Sequence, residues 1–496
     1  MLISTILSVA LAALPQEAPG AAQQPAAQAQ AQAQATSAEP TAITLQQALK
    51  IALSENTAIK VADKEIERAE YSKKGTYASL FPNIDMSAAY QRTIKKQVMY
   101  MDGDSFDFGS MIGDALMGYL MPLYAQHPGV TPPTPSPKEE DESSSDGFAV
   151  GRWNTWSAGV NASLPLINAQ LWESLKVSGT DVELAVEKAR SSRLETVNQV
   201  KQAYFGVLLA KAARDVYASV YENALENLAQ TEKKYKVQKA SELDLTRAKT
   251  TLANAVPNMY DSESKVVIAL WQLKAVMGVD LELNIDTAGE LMDYAGTMFH
   301  DLHVHDNADL SGNSSLKQLA LQAEELASAV KIQQRACLPS LALGFSYTYS
   351  AMTNDFNFSE YQWTPYSYVG LSLNIPIFSG GKRASQIRQA KAQAYELDLQ
   401  KTNAERQLKI AVRQYLAMMD NAMKSYDSSV SAAETAQKAY DIAQKSYNVG
   451  RSTLTDLNDA QLMLVQARLG VAQNVYSFVT AKANLENTLG ADYTTE

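Results

Sequence analysis

Cysteine is almost absent from this chain: one thiol, Cys337, stands among 496 residues. That excludes an internal disulfide framework and a cysteine-built metal site. Its place just before Leu338 and Pro339 reads as a buried structural thiol. Long apolar runs are missing as well. No stretch supplies the ~18 uninterrupted apolar residues of a spanning helix, so any passage through a membrane must be as a β-barrel. Cation excess is also lacking; the formal net charge of −11 argues against nucleic acid as the main partner. A phosphate-binding glycine loop and a nucleophile elbow are both absent. No catalytic constellation emerges, no cofactor is implied and no energy-coupling motif appears, so the chain does not read as an enzyme. Histidines number four, and His300, His303 and His305 cluster. His303 and His305 would share one face of a strand, but a surface loop is the reading preferred over a metal site.

What is present begins with an export signal. Leu2 to Leu14 form a short apolar run followed by small residues suited to cleavage, although no Lys or Arg precedes it. An Ala/Gln/Pro tract follows, of the composition of a flexible tether. Beyond it, the chain contains itself twice. Leu245, Leu252, Met259, Val266 and Leu273, spaced by sevens, recur 212 positions later as Leu457, Leu464, Val471, Phe478 and Leu485. Ala248, Ala255 and Ala269 move with them onto Ala460, Ala467 and Ala481, and Ser262 lands on Asn474. A seven-residue apolar repeat signals helices packed along a coiled-coil seam; its duplication signals a copied structural unit.

Each copy also holds two alternating segments. Ile84, Met86, Ala88 and Tyr90 alternate with small or polar residues, as do Ala158, Val160, Ala162 and Leu164. In the second copy the alternating sets are Leu341, Leu343, Phe345, Tyr347, Tyr349 and Val369, Leu371, Leu373, Ile375. Period-two alternation fits a soluble sandwich strand or a membrane barrel strand. The barrel is favoured by the recurrence of the pattern in all four segments, by the export signal, and by Trp153, Trp156, Tyr361, Trp363, Tyr366 and Tyr368 near the strand ends, where interfacial aromatic girdles lie. Pro82 and Pro339 open the first strand of each pair, and Pro165 and Pro376 close the second, as expected of a residue excluded from central ladders.

The segment from about Ser379 to Tyr447 has no proline and no glycine after Gly381; as a helix it would span roughly 100 Å. The run after Pro165 is similar, and shorter helices are expected over about Leu45 to Leu80 and Leu316 to Ala336. Four strands cannot close a membrane barrel, which needs about eight, and an open edge in lipid is prohibitive. The barrel must therefore be shared between subunits, and three chains would supply twelve strands.

These residues resemble the outer-membrane efflux protein family, the TolC-like outer membrane factors. The resemblance rests on the duplicated strand–helix plan, the Pro376–Gly381 turn (Pro-Ile-Phe-Ser-Gly-Gly), and the segment Tyr447-Asn-Val-Gly-Arg-Ser-Thr-Leu-Thr-Asp-Leu-Asn-Asp-Ala460. It implies a mainly α chain with a membrane β-barrel, four strands per chain in a trimeric twelve-stranded barrel, continued by a long periplasmic helical tunnel. By the resemblance the chain divides into a signal peptide (1–15), a flexible segment (16–43), a first repeat (44–279), an equatorial linker region (280–313), a second repeat (314–490) and a C-terminal tail (491–496). The first repeat would hold strands at about 82–96 and 153–167, joined by an extracellular loop over 99–147; the second would hold strands at about 339–351 and 363–377.

The resemblance further implies a homotrimer in the outer membrane of a Gram-negative bacterium. It would serve as exit duct for a tripartite efflux or type I secretion system, with a periplasmic adaptor and an RND or ABC inner-membrane pump as partners. Its constriction would be formed by Asp456, Asp459 and Asp244, its tip locked by Tyr447 and Arg451, and the adaptor met by Val237, Gln238, Val449 and Gly450. Asp456 and Asp459 lie three apart on one helix face, and first-turn helix acids are the plainer reading of each alone. Tyr235, Val237 and Asp244 align with Tyr447, Val449 and Asp456, but Gln238 replaces the glycine, so a differently built turn is expected there. The rival class is a periplasmic coiled-coil adaptor or structural protein.

Overall fold

The computed structural model describes residues 41–99, 108–125, 148–299 and 309–491. In chain order the elements are strand β1 (Thr41–Ile43), helices α1 (Leu45–Glu55) and α2 (Thr57–Ala78), strands β2 (Asn83–Arg92) and β3 (Gln97–Met99), helix α3 (Phe108–Ala125), and strands β4 (Phe148–Val150) and β5 (Asn154–Ile167). There follow α4 (Ala169–Lys236), α5 (Glu242–Met277), β6 (Ile285–Thr287), α6 (Ser314–Arg335), β7 (Ser340–Thr353), β8 (Thr364–Asn374), α7 (Lys382–Asn448) and α8 (Leu454–Leu489). These fall into two compact units: a sheet unit over 74–176 and 328–389, and a helical unit holding the rest. The signal region, His300, His303, His305, most of the 99–147 insertion and residues 492–496 of the C-terminal tail lie outside the described residues.

In the sheet unit, an antiparallel sheet runs in the order β2-β5-β7-β8. Its register stacks the alternation of all four strands. Ile84 pairs with Ala162, Ala162 with Phe345 and Phe345 with Val369, forming one apolar row. On the other face, Asp85, Asn161, Ser346 and Tyr368 form the adjacent row. There Asn161 Nδ2 donates to Asp85 at 3.4 Å and Ser346 Oγ donates to Asn161 Oδ1 at 2.8 Å. A slip of one residue would send every apolar side chain to the wrong face, so the pattern specifies the pairing. Aromatic rings gather at one end of the sheet: Tyr90 and Trp156 are 4.2 Å apart, and Tyr349 stacks on Trp363 at 5.9 Å.

Three expectations are corrected here. Pro165 does not close its strand but lies inside β5, opposite Ala342. It is past the last β2 partner, Ser163, and beside a register shift, the two circumstances in which a ladder tolerates proline. Cys337 is exposed, because it sits in the short joint between α6 and β7. The 99–147 insertion is not all loop: it contains the 18-residue helix α3, and β3 and β4 pair at its base.

The helical unit shows the duplication in its backbone. Helices α5 and α8 each have 36 residues and coincide at the offset of 212. Ser241 and Thr453 form matching capping boxes, and Gly278 and Gly490 end the helices in the left-handed conformation, φ 74° and 68°. Their short lead-in helices clasp those ends. Asn56 Nδ2 donates to the Val276 carbonyl at 2.7 Å, and Asn313 Nδ2 to the Thr488 carbonyl at 2.6 Å. The same asparagines cap α2 and α6 through Oδ1, accepting from Ala58 and Leu316. Asn56 therefore breaks the single helix expected over Leu45 to Leu80 into α1 and α2. A Cβ on Gly490 would collide with the Gly312 carbonyl, and one on Gly278 with Asn56, so both glycines are required by close approach as well as by φ.

The main core of this unit gathers Tyr204, Leu208, Leu273, Met277, Met419, Phe478 and Leu485 with Ile43, Leu291 and Met298. Thr41–Ile43, expected within the flexible segment, is instead a strand paired in parallel with β6 of the linker region. The buried Tyr204 hydroxyl donates to the Ala288 carbonyl at 2.6 Å. Burial, helped by Tyr294 and Asp286, pushes that phenol up to about 12. Lys211 reaches the same segment, 2.6 Å from Asp286 and 2.8 Å from the Thr287 carbonyl.

Candidate functional site: the paired helical turns

The residues singled out by sequence converge on the two turns that join α4 to α5 and α7 to α8. Both turns are Schellman endings. Gln238 N donates to Tyr235 O and Lys239 N to Lys234 O; Gly450 N donates to Tyr447 O and Arg451 N to Ser446 O. A 6→1 bond beside a 5→2 bond requires a left-handed residue between them. Gly450 supplies it at φ 79°, and Gln238 at φ 57°. The expectation of a differently built first turn is thus corrected. The glutamine adopts the glycine conformation, at a cost of about 1–2 kcal/mol, because the helix-capping bonds on both sides are the same.

The aspartates begin the next helices. Asp456 Oδ2 accepts from Thr453 N at 2.8 Å and Thr453 Oγ1 at 2.7 Å; these bonds hold its carboxyl below the usual range. Asp244 repeats the arrangement with Ser241. Asp459, one turn further on, is exposed. Its counterpart 212 positions earlier is Arg247, so the first copy lacks the second acid.

A small core holds the turns together. Leu454, Leu457, Ala460 and Leu464 of α8 pack with Ala248 of α5 and with Tyr440 and Tyr447 of α7. Tyr447 is buried, and its hydroxyl shares a 2.6 Å hydrogen bond with Thr231 Oγ1 of α4. Lys234 lies over the Tyr447 ring at 4.2 Å and donates to the Tyr447 carbonyl at 2.8 Å; burial holds its ammonium below the ordinary value. Asn458 Nδ2 donates to Thr251 Oγ1 at 3.1 Å, linking α8 to α5. Arg451 is exposed and contributes its backbone amide to the turn. Val237 and Val449 project outward, 63% and 71% exposed.

A family model described as "Outer membrane efflux protein" matches residues 138–279 and 307–491. The chain belongs to that family. Outer membrane protein TolC of Vibrio cholerae is 21% identical over 336 residues, covering 67% of this chain and 76% of that protein. The alkaline protease secretion protein AprF of Pseudomonas aeruginosa is 24% identical over 248 residues, 48% of this chain and 49% of AprF, about half of each. The solved outer-membrane channel CmeC of Campylobacter jejuni shares the fold with a TM-score of 0.64 at 18% identity, over 90% of this chain and 85% of that one.

This outer membrane efflux protein therefore resides in the outer membrane, with the fold of a channel chain, and the coiled-coil adaptor alternative finds no support. Sequence reasoning missed Thr231 and Lys234. Their signal was available only by pairing α4 with α7, since neither residue belongs to the matched turn segment.

Proposed function

We propose that the protein is the exit duct of a tripartite efflux or type I secretion system, passively conducting cargo from a periplasmic adaptor and inner-membrane pump to the exterior. The observation that carries this reading is the sheet: four strands with one continuous apolar face and two unpaired edges, β2 and β8. In a lipid bilayer such edges must be satisfied by another strand. Joining β8 of one copy to β2 of the next closes a twelve-stranded barrel from three copies, an even number above the smallest barrels of about eight.

In this reading the paired turns form the periplasmic end. Three copies of Asp456 and Asp459, with Asp244 nearby, ring the narrow pore and favour cations. Tyr447, through Thr231 and Lys234, holds the two copies of the repeat together there, with Arg451 at the rim. Val237, Gln238, Val449 and Gly450 face the adaptor. Conductance of the purified protein in planar bilayers tests the scheme. The wild type is expected to show a small cation-selective current, and Asp459→Asn to lose most of that selectivity; Asp456→Asn, which retains a capping side chain, separates pore charge from helix capping. A folded protein that never inserts into bilayers would overturn the duct.

A further inference from the structure

The two turns have the same backbone but opposite electrostatic character. In the first copy, residues 232–249 carry six cations (Lys233, Lys234, Lys236, Lys239, Arg247, Lys249) against three acids (Glu232, Glu242, Asp244), a net of +3 in a chain of −11. The equivalent residues 444–461 carry Lys445 and Arg451 against Asp456 and Asp459, a net of zero. Lys233, Lys236, Lys239, Arg247 and Lys249 are exposed. None of the five forms an ion pair among the described residues, whereas Lys234 is committed to Tyr447 and the Asp244 carboxylate to Ser241. Between the cations lie Tyr235, Val237 and Leu243, 41%, 63% and 57% exposed.

We infer that the α4–α5 turn is a docking surface for a periplasmic partner that presents an acidic segment. The inference rests on the exit-duct reading and adds to it the chemistry of the partner. An apolar strip flanked by unpaired cations is complementary to a segment with apolar residues flanked by carboxylates, and such complementarity sets specificity and on-rate. The equivalent turn of another copy does not match the surface: it offers Asp459 as its one acid not bound in a capping box, against five unpaired cations. The neutral α7–α8 turn lacks this preference, so the two turns of one copy are not equivalent to a partner.

The test places p-benzoylphenylalanine at Val237 and, separately, at Val449 of the full chain in the cells that produce it, followed by mass-spectrometric sequencing of the captured segment. At Val237 the expected segment is net negative. Its yield falls about tenfold when Lys233, Lys236 and Lys239 are all changed to Glu, in line with the size of electrostatic steering, and less when they are changed to Gln, while capture at Val449 is unchanged. A neutral or basic segment at Val237, a yield indifferent to charge reversal, or capture of another copy of this chain overturns the acidic-partner inference and leaves the duct reading standing. Capture of no partner segment at either position counts against the duct reading itself. The charge-neutral Gln variant, compared by its heat resistance with the parent, separates lost docking from lost folding.

Discussion

Helices α5 and α8 are the same element placed in different surroundings. They share length, capping box and terminal glycine, yet they bury different residues. α8 encloses its large heptad side chains, Leu457, Leu464, Val471, Phe478 and Leu485. Up to Ser262, α5 buries the small ones instead, Ala248, Ala255 and Ser262, and leaves Leu245, Leu252 and Met259 half-covered. Further along α5, Tyr260, Ile268 and Trp271 are exposed. A heptad repeat therefore specifies which residues can face a partner helix, but the number of neighbours decides which of them do.

The largest expected effect tests that asymmetry. Leu457→Ala removes a fully buried side chain from the core of the turns and is expected to cost about 3–5 kcal/mol, read from the thermal unfolding midpoint. Leu245→Ala, at the equivalent position, is expected to cost about 1 kcal/mol or less, because its side chain is already half in water. Equal losses would break the comparison, and would mean that a neighbouring copy encloses α5 as fully as the chain encloses its own α8.

The turns sharpen it further. Gly450 stands at φ 79° with nothing near enough to clash with a Cβ, so Gly450→Ala tests conformation alone. It is expected to cost about 1 kcal/mol, the left-handed penalty less the entropy returned by removing a glycine. Gln238→Gly should give the opposite sign, a gain of about 0.5–1 kcal/mol by the same balance. A loss on Gln238→Gly would mean that the glutamine side chain supports its turn in a way the glycine turn does without.

These contrasts also explain what could be read from the chain alone. The strand pairs were legible because alternation, register and three of the four flanking prolines agree, and α5 and α8 because heptads, caps and end glycines recur at one offset. The turn residues are legible through the family resemblance of the Tyr447–Ala460 segment, whose glycine stands between a tyrosine and an aspartate. The Asn56 and Asn313 clasps were not, since each depends on a carbonyl 220 or 175 residues away that no local pattern marks. Lys234 escaped for the same reason: its partner, Tyr447, lies 213 residues on. Gln238 and Pro165 misled because each breaks a local preference that its hydrogen-bonding neighbours override.

The smallest effect concerns the titration of a carboxyl on α6 of the second copy. Burial, reinforced by hydrogen bonding and repulsion from Asp181 and only partly opposed by Lys188, raises the Glu325 carboxyl of α6 to about 7; one of its oxygens is buried without a partner. Twelve residues after Asn313 stands Glu325, whereas twelve after Asn56 stands Arg68, whose side chain is 81% exposed. The folded chain therefore keeps a proton on Glu325 that the unfolded chain releases near its ordinary value of 4.5. Stability from this group is full below about 4.5 and is lost as the pH rises through about 7. Unfolding midpoints at pH 5 and pH 8 should differ in the parent and converge in Glu325→Gln, which keeps the hydrogen bond to Asp181 without the charge. Arg68→Gln should leave the pH difference intact. If Glu325→Gln retained it in full, the titration would belong to another group and the two copies would not differ in this respect.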